Sequence, residues 1–142
     1  MVRRPRRSDS EFASANDTGP ANLITEDPTC EAWGRISREL STATKAVDWA
    51  ERDDSVPADA WDPDLRAAYE AAGRAMSNAA EGVRALVSAT PHRVMRELYG
   101  QFNTFTNGVV EKIPTYTAAD SELATMPTTI ASALSSICDR AR

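Results

Sequence analysis

The sequence predicts an all-α protein, an up-down-up-down four-helix bundle, and three observations carry the prediction. Apolar residues recur at alternating spacings of three and four along four separate segments, the period of one face of a helix. Proline steps punctuate those segments at Asp27-Pro28, Asp62-Pro63, Thr90-Pro91 and Ile113-Pro114. No alternation of apolar and polar residues reaches strand length, so no β pattern competes. A chain of 142 residues holds one core of ordinary size and is too short for two.

Residues 1–26 are rich in Ser, Asn, Asp, Gly and Pro and lack periodicity, so they read as a disordered basic and polar leader, with 27–142 as the bundle domain. Asp27 is an N-cap candidate followed by Pro28 at the first helical position, where a missing N–H costs nothing. Trp33, Ile36, Leu40, Ala43, Val47 and Ala50 then form the stripe of the first helix, which Arg52 to Pro57 ends with charge, turn formers and a proline. Asp62-Pro63 repeats the start signal for a second helix. Its seam of Leu65, Ala68, Ala72, Ala75, Ala79, Gly82 and Leu86 is mostly small, which lets a neighbour approach closely, while Tyr69, Met76 and Val83 on the adjoining row supply buried area.

Thr90-Pro91 opens the third helix, with Val94, Met95, Leu98, Phe102, Phe105 and Val109 as its stripe and an end near Ile113-Pro114. The fourth is expected from about Asp120, capped by that side chain, and carries Leu123, Met126, Ile130, Ala133, Leu134 and Ile137. Pro127 falls inside it. A proline there removes a backbone hydrogen bond at a cost on the order of 3 kcal/mol, so the helix is expected to kink at Pro127 or to begin anew there.

The two cysteines test this topology. In an up-down-up-down bundle the start of the first helix and the end of the fourth lie at one end, where Cys30 and Cys138 fall. A disulfide between them would close a loop long enough to stabilise by about 4–5 kcal/mol in the chain-entropy account and would favour an oxidising compartment. The competing reading is two buried free thiols, each a small hydrophobe in its stripe. Neither reading leaves a zinc site, because two cysteines without C-x-x-C spacing and one histidine do not make one.

Charge and motifs exclude more chemistry than they suggest. The net charge is −5, and the first twelve residues set Arg3, Arg4, Arg6 and Arg7 against Asp9 and Glu11, which leaves −7 for the remainder. Such an acidic body has no footprint for a phosphate backbone, so no nucleic-acid partner is expected. The basic tail is not a complete export signal, because Ser8 to Pro20 is polar and small rather than apolar. There is no Glu-x-x-His pair for a di-iron site, and no G-x-S-x-G, P-loop or G-x-G-x-x-G element, so no cofactor and no catalytic residue is expected.

The densest polar segment runs from Thr90 to Phe102. His92, Arg93, Arg96 and Glu97 lie together near the start of the third helix, with Tyr99 about one turn on, and such a cluster at a helix N-terminus suits a carboxylate or phosphate. The plainer reading is a solvated face of paired charges. Trp33 belongs to the core stripe. Trp49 stands one position off it and Trp61 precedes the second helix, so both read as packing that pins the first interhelical loop or as an aromatic patch for a partner or lipid.

Three segments, Glu26-Asp27-Pro28-Thr29-Cys30-Glu31-Ala32-Trp33, Trp49 to Trp61, and Thr90-Pro91-His92-Arg93-Val94-Met95-Arg96-Glu97-Leu98-Tyr99, together resemble uncharacterised membrane-anchored extracytoplasmic proteins of mycobacteria. The likeness runs from about Gly19 to Cys138. It implies a basic cytoplasmic tail and a membrane-spanning helix ahead of the domain, and this sequence departs from that pattern in lacking the membrane segment. The resemblance supports the compartment and the disulfide and transfers no catalytic residue.

The reading that follows is a non-enzymatic extracytoplasmic module of the cell envelope, anchored to the membrane in its native form, that binds a protein or envelope partner through its helical surface. Two others stand beside it. One is a carrier of a small ligand, a lipid or an anionic metabolite, whose sign would be a sizeable internal cavity. The other is a small helical enzyme of the chorismate mutase kind, in which Arg35, Arg38, Arg96 and Glu97 would gather inside the bundle to stabilise developing charge.

Overall fold

The structure, a computed structural model, describes residues 24–141, so the leader expected over 1–26 lies outside the described residues up to position 23. Four helices follow in order: α1 (Cys30–Lys45), α2 (Pro63–Ala89), α3 (Arg93–Lys112) and α4 (Ser121–Arg140). Short 3-10 turns occupy Trp49–Glu51, Ala58–Ala60, Ile113–Thr115 and Ala118–Asp120, and the described residues contain no strand. Consecutive helices pack side by side and α4 returns to α1, which closes the expected bundle; the α2–α3 seam is the most extensive and the α1–α4 seam the thinnest.

α1 begins later than its Asp27-Pro28 start signal implies and ends earlier than its stripe implies. The Asp27 carboxylate accepts from the Thr29 N–H at 2.8 Å, and the Cys30 N–H reaches the Asp27 carbonyl at 3.3 Å, so the chain makes a turn before the helix begins. At the other end Asp48 adopts a left-handed backbone, φ 51°, through which no right-handed helix continues. Val47 and Ala50 therefore fall outside α1, and Ala50 is exposed.

α2 begins where its start signal says. The Asp62 side chain accepts from the Leu65 N–H at 2.7 Å and Pro63 opens the first turn. Removing that cap in Asp62→Ala is expected to cost about 1 kcal/mol, read as a lower urea midpoint with unchanged slope. The small residues along this helix do face close neighbours. A Cβ on Gly82 would sit 3.0 Å from Cδ1 of Ile36, and one on Gly73 would sit 2.9 Å from Cδ1 of Ile113.

α3 starts at Arg93, two residues beyond Pro91, because the Thr90 hydroxyl is engaged elsewhere and accepts from the His92 N–H at 3.1 Å. Its buried face is Met95, Tyr99, Phe102, Thr106 and Val109, a phase that turns Val94 outward to 55% exposure. α4 departs from expectation at its cap. Asp120 does not cap it; its carboxylate turns back to accept from the Thr117 N–H at 2.9 Å. The helix also runs unbroken through Pro127, so it does not begin anew there, and Met126 is exposed while Ile130, Leu134 and Cys138 are buried.

Two apolar clusters fill the bundle. One surrounds the disulfide end, where Trp33, Val83, Met95, Tyr99, Phe102 and Leu134 meet. The Trp33 ring stands edge-on to Phe102 at 5.3 Å, and its Nε1–H donates to Ser135 Oγ at 3.1 Å. The other, built on Ala58, Trp61, Tyr69, Ile113 and Tyr116, packs the two loops at the far end together. There the Ala58 N–H donates to the Tyr116 carbonyl at 2.8 Å.

Cys30 and Cys138 are joined by a disulfide, with sulfurs 2.13 Å and Cα atoms 5.2 Å apart, tying the start of α1 to the end of α4. The free-thiol alternative is thereby set aside. Among the described residues no helix is long and apolar enough to cross a membrane.

Candidate functional site

The start of α1 and the start of α3 meet at a single carboxylate. Asp27 stands just before the disulfide, its side chain wholly withdrawn from solvent, and four donors converge on it. Oδ1 accepts from the Thr29 N–H at 2.8 Å and from the Thr29 hydroxyl. Oδ2 accepts from the Thr90 hydroxyl and lies 2.8 Å from His92 Nδ1. Because the one Thr29 hydroxyl proton goes to Asp27, the Tyr99 hydroxyl 2.7 Å away must be the donor to Thr29 Oγ1.

Burial opposes ionisation of Asp27, but the hydrogen bonds from His92, Thr29 and Thr90 outweigh it and hold the carboxyl below its ordinary value. With the carboxylate ionised, His92 Nδ1 carries a proton and donates. Burial likewise pushes the Tyr99 hydroxyl up, and the nearby Asp27 charge adds to the rise. The network is a buried carboxylate satisfied by hydrogen bonds from two helix starts, and it fixes the entry of α1 against α3.

His92 is the one member that reaches the surface, with its side chain 35% exposed. It opens onto a shallow depression of about 690 Å³ walled by Thr25, Glu26, Pro28, Pro91 and Ala141. Pairing with Asp27 orients the imidazole as a general base is oriented. Among the described residues its wall presents the Glu26 carboxylate and no arginine or lysine, a lining that suits a neutral or cationic group better than an anion.

The residues singled out from the sequence are distributed as follows. Arg96 directs its guanidinium to the Thr90 carbonyl at 3.4 Å, Arg93 is half-buried beside it, and Glu97 is exposed. Tyr99 does not project beside them; it is 0% exposed inside the core. The carboxylate found at this helix start is the chain's own Asp27. Arg35 and Arg38 are exposed on α1, so the four residues considered for a chorismate mutase-like site do not gather inside the bundle. Among the described residues no three His, Cys, Asp or Glu side chains come together as a metal site.

A second polar group lies at the far end of the bundle. Arg52 is stacked over the Trp49 ring, 3.5 Å from its centroid, and donates to the Tyr69 hydroxyl at 3.1 Å, the Trp49 carbonyl at 2.8 Å and the Tyr116 hydroxyl at 3.3 Å. Trp61 stacks on Tyr69 with centroids 3.9 Å apart and donates its Nε1–H to the Val56 carbonyl at 3.0 Å. Trp49 and Trp61 are thus the packing that pins the first interhelical loop. Burial raises the Tyr69 hydroxyl above its usual range although the Arg52 hydrogen bond pulls the other way.

Sequence reasoning missed the parts played by Asp27, Thr29, Thr90 and Arg52. An Asp followed two residues later by Thr is a local turn signal that could have moved Asp27 from N-cap to turn. No comparable signal joins positions 27 and 90.

The chain matches, over residues 12–142, the sequence model of a family described as mycobacterial ESX-1 associated protein. It is also 46% identical over 129 residues to an uncharacterised protein of Mycolicibacterium smegmatis strain MKD8, a likeness that covers 91% of this chain and 34% of that protein. The chain therefore spans about a third of the length of that curated relative. No solved structure matches. The resemblance to an uncharacterised mycobacterial family is borne out.

Proposed function

The chain belongs to the mycobacterial ESX-1 associated protein family, and from that premise we propose that it is a non-enzymatic interaction module of the cell envelope that docks a protein of the ESX-1 secretion system. The observation that carries this reading is the family match over residues 12–142, whose description links the family to ESX-1. The reading places the domain outside the cytoplasm, a position the disulfide supports, since a long-loop disulfide persists where thiols are oxidised. The leader at 1–26 and the bundle at 27–142 then divide the work, the leader towards the membrane and the bundle towards the partner.

The surface this reading favours is the outer face of α4. Between Glu122 and Asp139 that helix carries no charge, and Thr125, Met126, Thr128, Thr129, Ser132 and Ser136 are exposed, in a chain with 26% charged residues. Absence of charge is the compositional mark of the centre of a protein interface.

The test is a photo-crosslinking amino acid placed at Thr129 in intact mycobacterial cells, with one at exposed Ala67 on α2 as control. The expected product is a crosslink to an ESX-1 component from position 129 that is absent from position 67 and lost in Thr125→Glu. Capture of no ESX-1 component, or equal capture from both positions, overturns the proposal.

A further inference from the structure

We propose that the cleft between α1 and α4 is a binding site for a small, neutral, mainly apolar molecule carrying one hydroxyl or carbonyl oxygen. The two helices are clamped at one end by the Cys30–Cys138 disulfide and the Trp33–Ser135 hydrogen bond, yet their seam is the thinnest of the bundle. Beyond the clamp a cavity of about 240 Å³ enters between them and reaches inward to side chains of α2 and α3. Leu40, Met76, Phe102, Val109 and Ala131 line it, with serine and threonine at the wall and no charged residue among the described residues that line it.

Size and polarity together define the ligand class. An apolar cavity of roughly 150 Å³ accommodates benzene, so this one has room for a single ring or a short chain bearing a substituent. A charged ligand would lose its hydration here without compensation, because none of the described lining residues carries a charge.

Thr106 supplies the reason for an oxygen. It lines the cavity from α3, is 1% exposed, and its Oγ1 has no hydrogen-bond partner. The other buried threonines of the described core are paired: Thr29 and Thr90 both serve Asp27. Thr44, on the same cavity, gives its hydroxyl proton to its own helix at the Leu40 carbonyl, 3.0 Å away. Among the described residues Thr106 alone keeps a side-chain hydroxyl out of water with nothing to bond, and a buried polar group in that state is a destabilised one. A ligand oxygen that settles against the cavity floor completes the missing bond, while its apolar body covers Leu40, Met76 and Phe102.

Titration of the ¹⁵N-labelled full chain with p-cresol and with toluene, followed by NMR, tests this. Both probes are expected to shift the amides of Leu40, Met76, Phe102, Thr106 and Ala131. Thr106→Val keeps the side-chain shape without the hydroxyl, and it is expected to weaken p-cresol about tenfold while leaving toluene unchanged. Ala131→Leu, or Ala124→Leu should the first variant lose its native spectrum, fills the cavity and abolishes both responses. No shift at these amides with either probe, or shifts that survive the filled cavity, overturns the site. Equal p-cresol affinity in the wild type and Thr106→Val overturns the oxygen anchor.

Discussion

Converting Cys30 and Cys138 together to alanine is expected to lower the stability of the domain by about 4–5 kcal/mol. The bond joins positions 108 residues apart, so in the unfolded chain it removes the entropy of a long open loop. The chain-entropy account gives roughly this value for a loop of about a hundred residues. Alanine rather than serine is the informative replacement, because both positions are buried and a serine hydroxyl at Cys138 would add its own desolvation cost. For a domain of this size the change corresponds to a fall in Tm of roughly 15 °C, measured by calorimetry on wild type and variant at one pH. Reduction of the wild type should reproduce the fall. A loss of only a few degrees would mean that the packing of Trp33, Tyr99 and Leu134 around the bond holds α1 against α4 without it.

The second large effect is expected at Asp27. Asp27→Ala strips the partner from the Thr29 N–H, the Thr29 and Thr90 hydroxyls and His92 Nδ1, and should cost about 3 kcal/mol, since several donors in or near the interior are left unpaired at once. The pH dependence follows from the direction of the Asp27 shift. Its folded pKa lies below the unfolded value of about 4, so the folded state binds fewer protons and the stabilisation is fully present above that pH. As pH falls below about 4 and through the lower folded value, the contribution is lost. Urea denaturation of wild type and Asp27→Asn across about pH 2–7 should therefore show a gap that is widest above about pH 4 and narrows in acid. A gap that stays constant with pH would show that the carboxylate acts here through its shape and not its charge.

Both predictions concern one end of the bundle, and the two halves of that end were unequally legible. The disulfide was accessible from topology alone, because an up-down-up-down order brings the first turn of α1 and the last turn of α4 to the same end whatever the helix rotations are. The Asp27 network was not. Position 27 carries a strong local signal, Asp before Pro, and that signal points to a helix cap. His92, Arg93, Arg96, Glu97 and Tyr99 were legible as a polar cluster but not as separate fates. Whether a residue near a helix start faces solvent or core depends on the phase of the helix, and a start displaced from Pro91 to Arg93 left Val94 outside and Tyr99 sealed within.

By itself the sequence determined what depends on contacts within a few residues: four amphipathic helices, the Asp62 cap and its proline, the end of α3 near Pro114, the placement of both cysteines at one end. Periodicity, caps and breakers are local, and a helix stripe survives any arrangement of its neighbours. Only the tertiary structure decided that Asp27 is held by Thr90 and His92, that Arg52 is spent on Trp49, Tyr69 and Tyr116, and that a cavity opens beside Thr106. Those outcomes turn on the rotation and offset of packed helices to within an ångström or two. Hydrogen bonds and cavities are sensitive to such distances, and the spacing of apolar residues along a chain is not.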